Sequence, residues 1–233
     1  MTKIIIEETE VEVIKKNVKN LNLSVHHPNG EVRLSIPKRM TDEEIRLFII
    51  SKIPWIRKHQ QRFEKLEIVP KREFVSGETH YFFGIKYILN LIYQDKGKSK
   101  VIVRDKKYID LYVKEKSSKE EREYIMKEWY RKELKLAIPS LIGKWEKIMN
   151  VKVNEFGVKQ MKTRWGTCNN RDGRIWINLE LTKLSPYFLE YIVVHEMAHL
   201  LEKGHGPKFK SIMDKYYPNW KNVKDELNGM IFL

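Results

Sequence analysis

The chain has 233 residues, 42% of them hydrophobic and 11% aromatic, with 11 glycines and 8 prolines; this excludes a disordered, collagen-like or linker-rich chain and suffices for one or two packed domains. The single cysteine, Cys168, excludes an internal disulfide, and no uncharged apolar run approaches the ~18 residues of a membrane span. The net charge of +14 favours contact with polyanions, but it is spread along the chain, +3 over residues 1–70, +5 over 71–117 and +6 over 118–233.

The opening residues Met1 to Glu10 carry acids where a signal peptide needs an apolar core, so a cytoplasmic location and no membrane partner are expected. Leu21, Leu23 and Val25 alternate with polar residues, Pro28-Asn29-Gly30 supplies a turn, and Val32, Leu34 and Ile36 alternate again. That pattern predicts a β-hairpin. Thr41 and Glu44 have capping-box spacing, and Ile45, Phe48, Ile49, Ile53 and Ile56 follow helical periodicity. A helix is therefore predicted from about residue 42 into the mid 60s, with an interruption before Pro54. From Thr79 to Val113 short alternating pieces are separated by Gly84, Asp95-Lys96-Gly97 and Asp105-Lys106-Lys107, which predicts antiparallel strands. The basic stretch Lys96 to Lys107 reads as a solvated hairpin tip in preference to a nucleic-acid contact.

Composition shifts near Ser117-Ser118, where an amphipathic helix begins and carries Ile125, Trp129, Leu134 and Leu136 ahead of Pro139. A domain boundary is placed there, giving a β-rich region 1–117 with antiparallel hairpins and a second domain 118–233, α+β overall. Val158 to Met161 and Ile175 to Asn178 read as strands around a loop from Trp165 to Gly173. Ser185-Pro186 is an N-cap followed by Pro at the first helical position, starting a helix that runs to about Lys203. No internal repeat is visible.

That last helix contains His195-Glu196-Met197-Ala198-His199, the H-E-x-x-H pattern. Positions i and i+4 share one helix face, so two imidazoles can converge on a metal ion with Glu196 beside it. Phe188, Leu189, Ile192, Val193, Val194, Met197, Leu200 and Leu201 make the segment apolar on most sides, so these histidines need partners. Backbone carbonyls would satisfy two core histidines, but a carboxylate and a third candidate ligand, His205, favour a metal. Gly204 can adopt the left-handed conformation that ends a helix and turns His205 back towards the site. Three histidines plus a water is the open arrangement of catalytic zinc, in which Glu196 takes the water's proton during hydrolysis.

The blocks Met161-Lys162-Thr163-Arg164-Trp165-Gly166-Thr167-Cys168, Asn178, Tyr191 to Leu200 and His205-Gly206-Pro207-Lys208-Phe209 resemble the YgjP-like metallopeptidase family of predicted metal-dependent hydrolases, and more distantly the SprT-like zinc proteases. The N-terminal part, with Trp55-Ile56 and the stretch from Gly77-Glu78 to Gly84-Ile85, is similar as well. The resemblance implies a zincin-like helical metallohydrolase domain with His195, His199 and His205 as zinc ligands and Glu196 as general base. It departs from the family at Thr167, where Ser is usual, and at Gly204 and Gly206, which flank His205. A metzincin reading fails because Glu202 stands where the helix-ending glycine would be.

Other residues carry weaker signals. Cys168 reads as a small buried turn residue, not a nucleophile. Arg164 reads as half of a structural ion pair, ahead of an oxyanion or phosphate contact. Tyr216 and Tyr217 read as aromatic packing, and His26, His27, His59 and His80 as non-ligands. The function expected is therefore a zinc-dependent hydrolase acting on peptides or proteins. The alternatives are a nucleoside triphosphate (UTP) pyrophosphatase, a label also attached to the family, and a nucleic-acid-associated module with a structural metal site. No G-x-x-x-x-G-K-[ST] phosphate loop is present.

Overall fold

The structure, a computed structural model, describes residues 2–26, 29–64 and 72–229. Two compact α+β units divide the chain, Met1–Pro70 and Lys71–Leu233. In the first, β1 (Thr2–Ile6), β2 (Thr9–Lys16), β3 (Asn22–His26) and β4 (Glu31–Pro37) form a sheet in the order β1-β2-β4-β3, followed by α1 (Asp42–Glu64). The predicted hairpin is β3–β4, with Val25 opposite Val32; Pro28 of its turn lies outside the described residues. Alternate residues Val11, Val13, Val32, Leu34 and Ile36 are buried with Ile45, Ile49, Ile53 and Ile56 of α1. The capping box forms: Thr41 N–H donates to Glu44 Oε2 (2.8 Å), and Glu44 N–H donates to Thr41 Oγ1 (3.3 Å). Pro54 does not interrupt α1, because buried Ile49, Ile53 and Ile56 anchor the helix on both sides of it and offset the ~3 kcal/mol that an interior proline costs.

The second unit opens with β5 (Thr79–Phe82), β6 (Ile85–Tyr93), β7 (Lys100–Arg104) and β8 (Tyr108–Val113), in the order β5-β6-β8-β7, followed by α2 (Lys119–Met149). These strands are not all antiparallel as expected, since β6 runs parallel to β8, pairing Leu89 with Ile109. Although no repeat is visible in the sequence, this is the topology of the first unit again. There too the second strand runs parallel to the fourth, and a helix follows. The tight turns Glu7-Glu8 and Phe83-Gly84 occupy the same place, both with left-handed φ (46° and 67°, 45° and 80°). Ser118 caps α2 by accepting from Glu121 N–H, as Thr41 does for α1. The buried pair Ile49 and Ile53 has its counterpart in Met126 and Tyr130. Spacing is kept while identities are not.

The remaining elements are β9 (Glu155–Lys159), β10 (Gly166–Asn169), β11 (Arg174–Asn178), a 3-10 turn (Leu179–Lys183), α3 (Pro186–Ala198), α4 (Pro207–Tyr216) and α5 (Trp220–Gly229). Strand β11 pairs parallel with β9 and antiparallel with β10, which leaves β10 at a sheet edge. Strand β10 lies inside the stretch expected to be a loop. The sequence boundary at 117/118 falls within this second unit, where Leu89, Ile109 and Leu111 of the sheet share one core with Met126 and Leu134 of α2 and with Ile175, Ile192 and Phe209. The β5–β6 turn is tied to the 3-10 turn by Phe83 N–H to Thr182 O (2.7 Å) and Gly84 N–H to Lys183 O (3.2 Å). Helix α2 runs on through Pro139 to a left-handed cap at Asn150 (φ 53°). Among the described residues no helix is long and apolar enough to cross a membrane.

Candidate metal centre

Helix α3 starts at Pro186 after Ser185, whose side chain makes no capping bond, and it ends at Ala198, one turn earlier than expected. It is buried nearly all round, through Phe188, Leu189, Tyr191, Ile192, Val193, Val194, Met197 and Ala198, as an apolar helix must be. Its last turn carries His195 and Glu196, with His199 as the C-cap. Gly204 is not among the left-handed residues. The chain reverses instead through a tight turn in which Leu201 and Glu202 N–H both bond Ala198 O. That turn returns His205 to the helix.

The three histidines predicted from the sequence meet. His205 Nε2 lies 3.1 Å from His195 Nε2 and 3.2 Å from His199 Nε2, and no other group of three ligand-type side chains converges among the described residues. His199 Nδ1 is 3.0 Å from Glu202 O, and because a carbonyl only accepts, Nδ1 carries the proton and Nε2 offers its lone pair. Burial, with help from the neighbouring histidines, pushes His195 down to about 3 and lowers His205 as well, so both are neutral. His195 Nδ1 is buried with no hydrogen-bond partner. The donor set fits a tetrahedral cation: nitrogens about 2.0–2.1 Å from zinc stand about 3.3 Å apart, close to the spacing seen here. Phe209, 1% exposed, forms the floor, with its ring centroid 4.6–5.0 Å from all three imidazoles. Of His26, His59 and His80, none joins the cluster; His27 lies outside the described residues.

Glu196 is 4% exposed, and burial pushes its carboxyl up to about 8 against an opposing pull from Arg164. It lies against Gly166 at the start of β10, where a Cβ would stand 2.6 Å from Glu196 Oε1 and 2.7 Å from Cγ. Only glycine leaves room for the carboxylate there. The segment leading to Gly166 is pinned by Asn178, which is fully buried. Asn178 Nδ2 donates to Met161 O (3.0 Å) and Arg164 O (2.7 Å), Oδ1 accepts from Met161 N–H (3.3 Å), and Asn178 N–H donates to Trp165 O (2.9 Å). The roles of Gly166, Asn178 and Phe209 are not assigned by the sequence reading, although all three lie in the blocks that carry the resemblance.

The remaining candidates fall out simply. Burial and the Glu196 charge push the Cys168 thiol up to about 11, which disfavours the thiolate that a nucleophile needs. Tyr216 and Tyr217 pack against the core. Arg164 is exposed, and among the described residues it has no carboxylate within ion-pair distance, unlike the structural pair expected for it.

A family model described as YgjP-like, metallopeptidase domain, matches residues 19–230. Two solved metallopeptidase zymogens are similar in part. Abylysin of Pyrococcus abyssi is 20% identical, over 39% of this chain and 90% of its own, with a TM-score of 0.36. Jannalysin of Methanocaldococcus jannaschii is 18% identical, over 39% and 93%, with a TM-score of 0.35. No curated protein matches the chain.

Proposed function

The chain belongs to the YgjP-like metallopeptidase family and is a metal-dependent hydrolase, and from that premise we propose that it is a zinc peptidase whose ligands are His195, His199 and His205 and whose general base is Glu196. The observation that carries the reading is the convergence of three imidazole nitrogens within 4.8 Å of one another, with the Glu196 carboxylate next to His195 held against Gly166.

When bound, zinc acidifies a water and polarises the carbonyl under attack. The protein's own residues do the rest. Glu196 accepts the proton at a carboxylate whose raised pKa makes it a competent base near neutral pH and later a donor to the leaving amine. The Glu202 carbonyl holds the His199 ring in its tautomer. Among the described residues β10 pairs on one edge only, beside Glu196, and an extended peptide added to the other edge would pair its amides with backbone while its own carbonyl passes the base. That geometry favours unfolded or extended protein segments over compact substrates.

The test is digestion of a casein-like protein by the purified chain carrying one zinc. Cleavage should stop on chelation, return with zinc, and be lost together with the metal in His205→Ala. Cleavage that survives complete zinc removal would refute the proposal.

A further inference from the structure

Residues Met161 to Trp165 form the approach to Gly166. They have no regular secondary structure, yet they are fixed. Four hydrogen bonds from the single buried residue Asn178 hold positions 161, 164 and 165. A fully buried asparagine with its amide satisfied on both sides is a rigid support. It supports three exposed residues, Lys162, Thr163 and Arg164. Several other cations on ordered backbone are paired: Arg104 with Asp110, Arg174 with Glu155, Lys183 with Glu180. Among the described residues no carboxylate lies within ion-pair distance of Lys162 or Arg164, and the positive charge of Arg164 acts on the Glu196 carboxyl.

We propose that this pinned loop reads a carboxylate of the substrate, with Arg164 as the specificity-determining residue, so that preferred substrates are acidic peptide segments. The inference rests on the peptidase reading and narrows its substrate class. Guanidinium geometry suits the task, because its forked donors match a carboxylate in two parallel bonds. An immobile backbone limits the ordering cost of that contact. Gly166 is two residues further on and touches Glu196, so a group held by Arg164 lies next to the bond being cut. The overall charge of +14 acts in the same direction by concentrating acidic chains near the surface.

Binding separates this inference from the catalytic one. Zinc-loaded Glu196→Gln protein is titrated with two fluorescein-labelled decapeptides, identical except for four central Glu or four central Gln, and anisotropy is read in the Arg164→Ala and Lys106→Ala backgrounds. The Glu peptide should bind about tenfold more tightly than the Gln peptide, as one charge-assisted bidentate contact allows. Arg164→Ala should reduce that ratio to within about twofold, while Lys106→Ala, which removes the same charge from the β7–β8 turn, should keep it. An equal ratio in Arg164→Ala and its parent, or equal loss in Lys106→Ala, would overturn the proposal. So would inorganic tripolyphosphate displacing the Glu peptide at far lower concentration than the unlabelled peptide does, since the loop would then read phosphate. If the binding pattern holds but unmodified zinc protein cuts neither peptide, the peptidase reading fails and the recognition element stands.

Discussion

Gly166 and Glu196 are 30 positions apart in the chain and in van der Waals contact in the fold, with no room between them for one more carbon: a Cβ on Gly166 would lie 2.6 Å from Oε1, 2.7 Å from Cγ and 2.9 Å from Cδ of Glu196. The Glu196 carboxylate, the proposed base, is therefore positioned from two sides, by its own helix and by the backbone of β10.

Gly166→Ala should accordingly displace the carboxylate while the histidines keep their places. Displacement of a catalytic group by about 1 Å costs on the order of 100-fold in turnover. Zinc content should stay at one per chain. Shortening the displaced side chain should relieve the clash, so Glu196→Asp ought to cost less in the Gly166→Ala background than alone. Turnover and thermal midpoints of the four proteins in this cycle check both statements, and purely additive effects would show that the contact is not what the alanine disturbs.

Asn178→Ala removes four side-chain hydrogen bonds, three to the loop 161–164 and one accepted from Glu180 N–H (3.2 Å). The carbonyls of residues 161 and 164 lose their donor, and a loss of about 3 kcal/mol is expected. Urea unfolding checks the size. Asn178→Asp should be nearly as damaging, because a carboxylate keeps the acceptor and loses both donors.

The H-E-x-x-H triplet was legible because its geometry is local: helix periodicity alone puts positions 195 and 199 on one face. His205 was legible by its nearness in sequence, although the turn that delivers it uses carbonyls at the end of α3 and not a left-handed Gly204. Strand β10 was not legible, since Gly166-Thr167-Cys168-Asn169 has no apolar alternation and owes its conformation to pairing with β11. The parallel pairing of β6 with β8 escaped for a related reason, as alternation reports which face is buried and not strand direction. The shift at Ser117-Ser118 marks the start of α2, whereas the edge of the compact unit depends on which strands share a core with that helix. Gly166 has no signature at all, because its requirement comes from a side chain on another element.

His80 on β5 should make the second unit acid-sensitive. It is 1% exposed, and burial, aided by the Arg72 charge and opposed by Glu78, pushes it down to about 4 from the ordinary 6.5. The unfolded chain binds a proton between those values that the folded chain refuses. The stabilising contribution is thus complete above pH 6.5, declines as pH falls towards 4, and amounts to at most about 3 kcal/mol. Urea titrations of wild type and His80→Asn at pH 7.5 and 4.5 isolate it, since asparagine does not titrate. The stability gap between the two proteins should move against wild type on acidification, and a gap independent of pH would contradict the assignment.

Glu196→Gln separates, in one protein, the two roles proposed for the site: a base at Glu196 and metal ligands at the three histidines. The amide has the shape of the carboxylate but cannot take a proton, so turnover on a peptide should fall by about 10²- to 10⁴-fold with one zinc retained per chain. Metal content and steady-state cleavage of the same preparation decide the matter: full zinc with collapsed turnover is the predicted result, and turnover within a few-fold of wild type, or loss of the zinc itself, would contradict it.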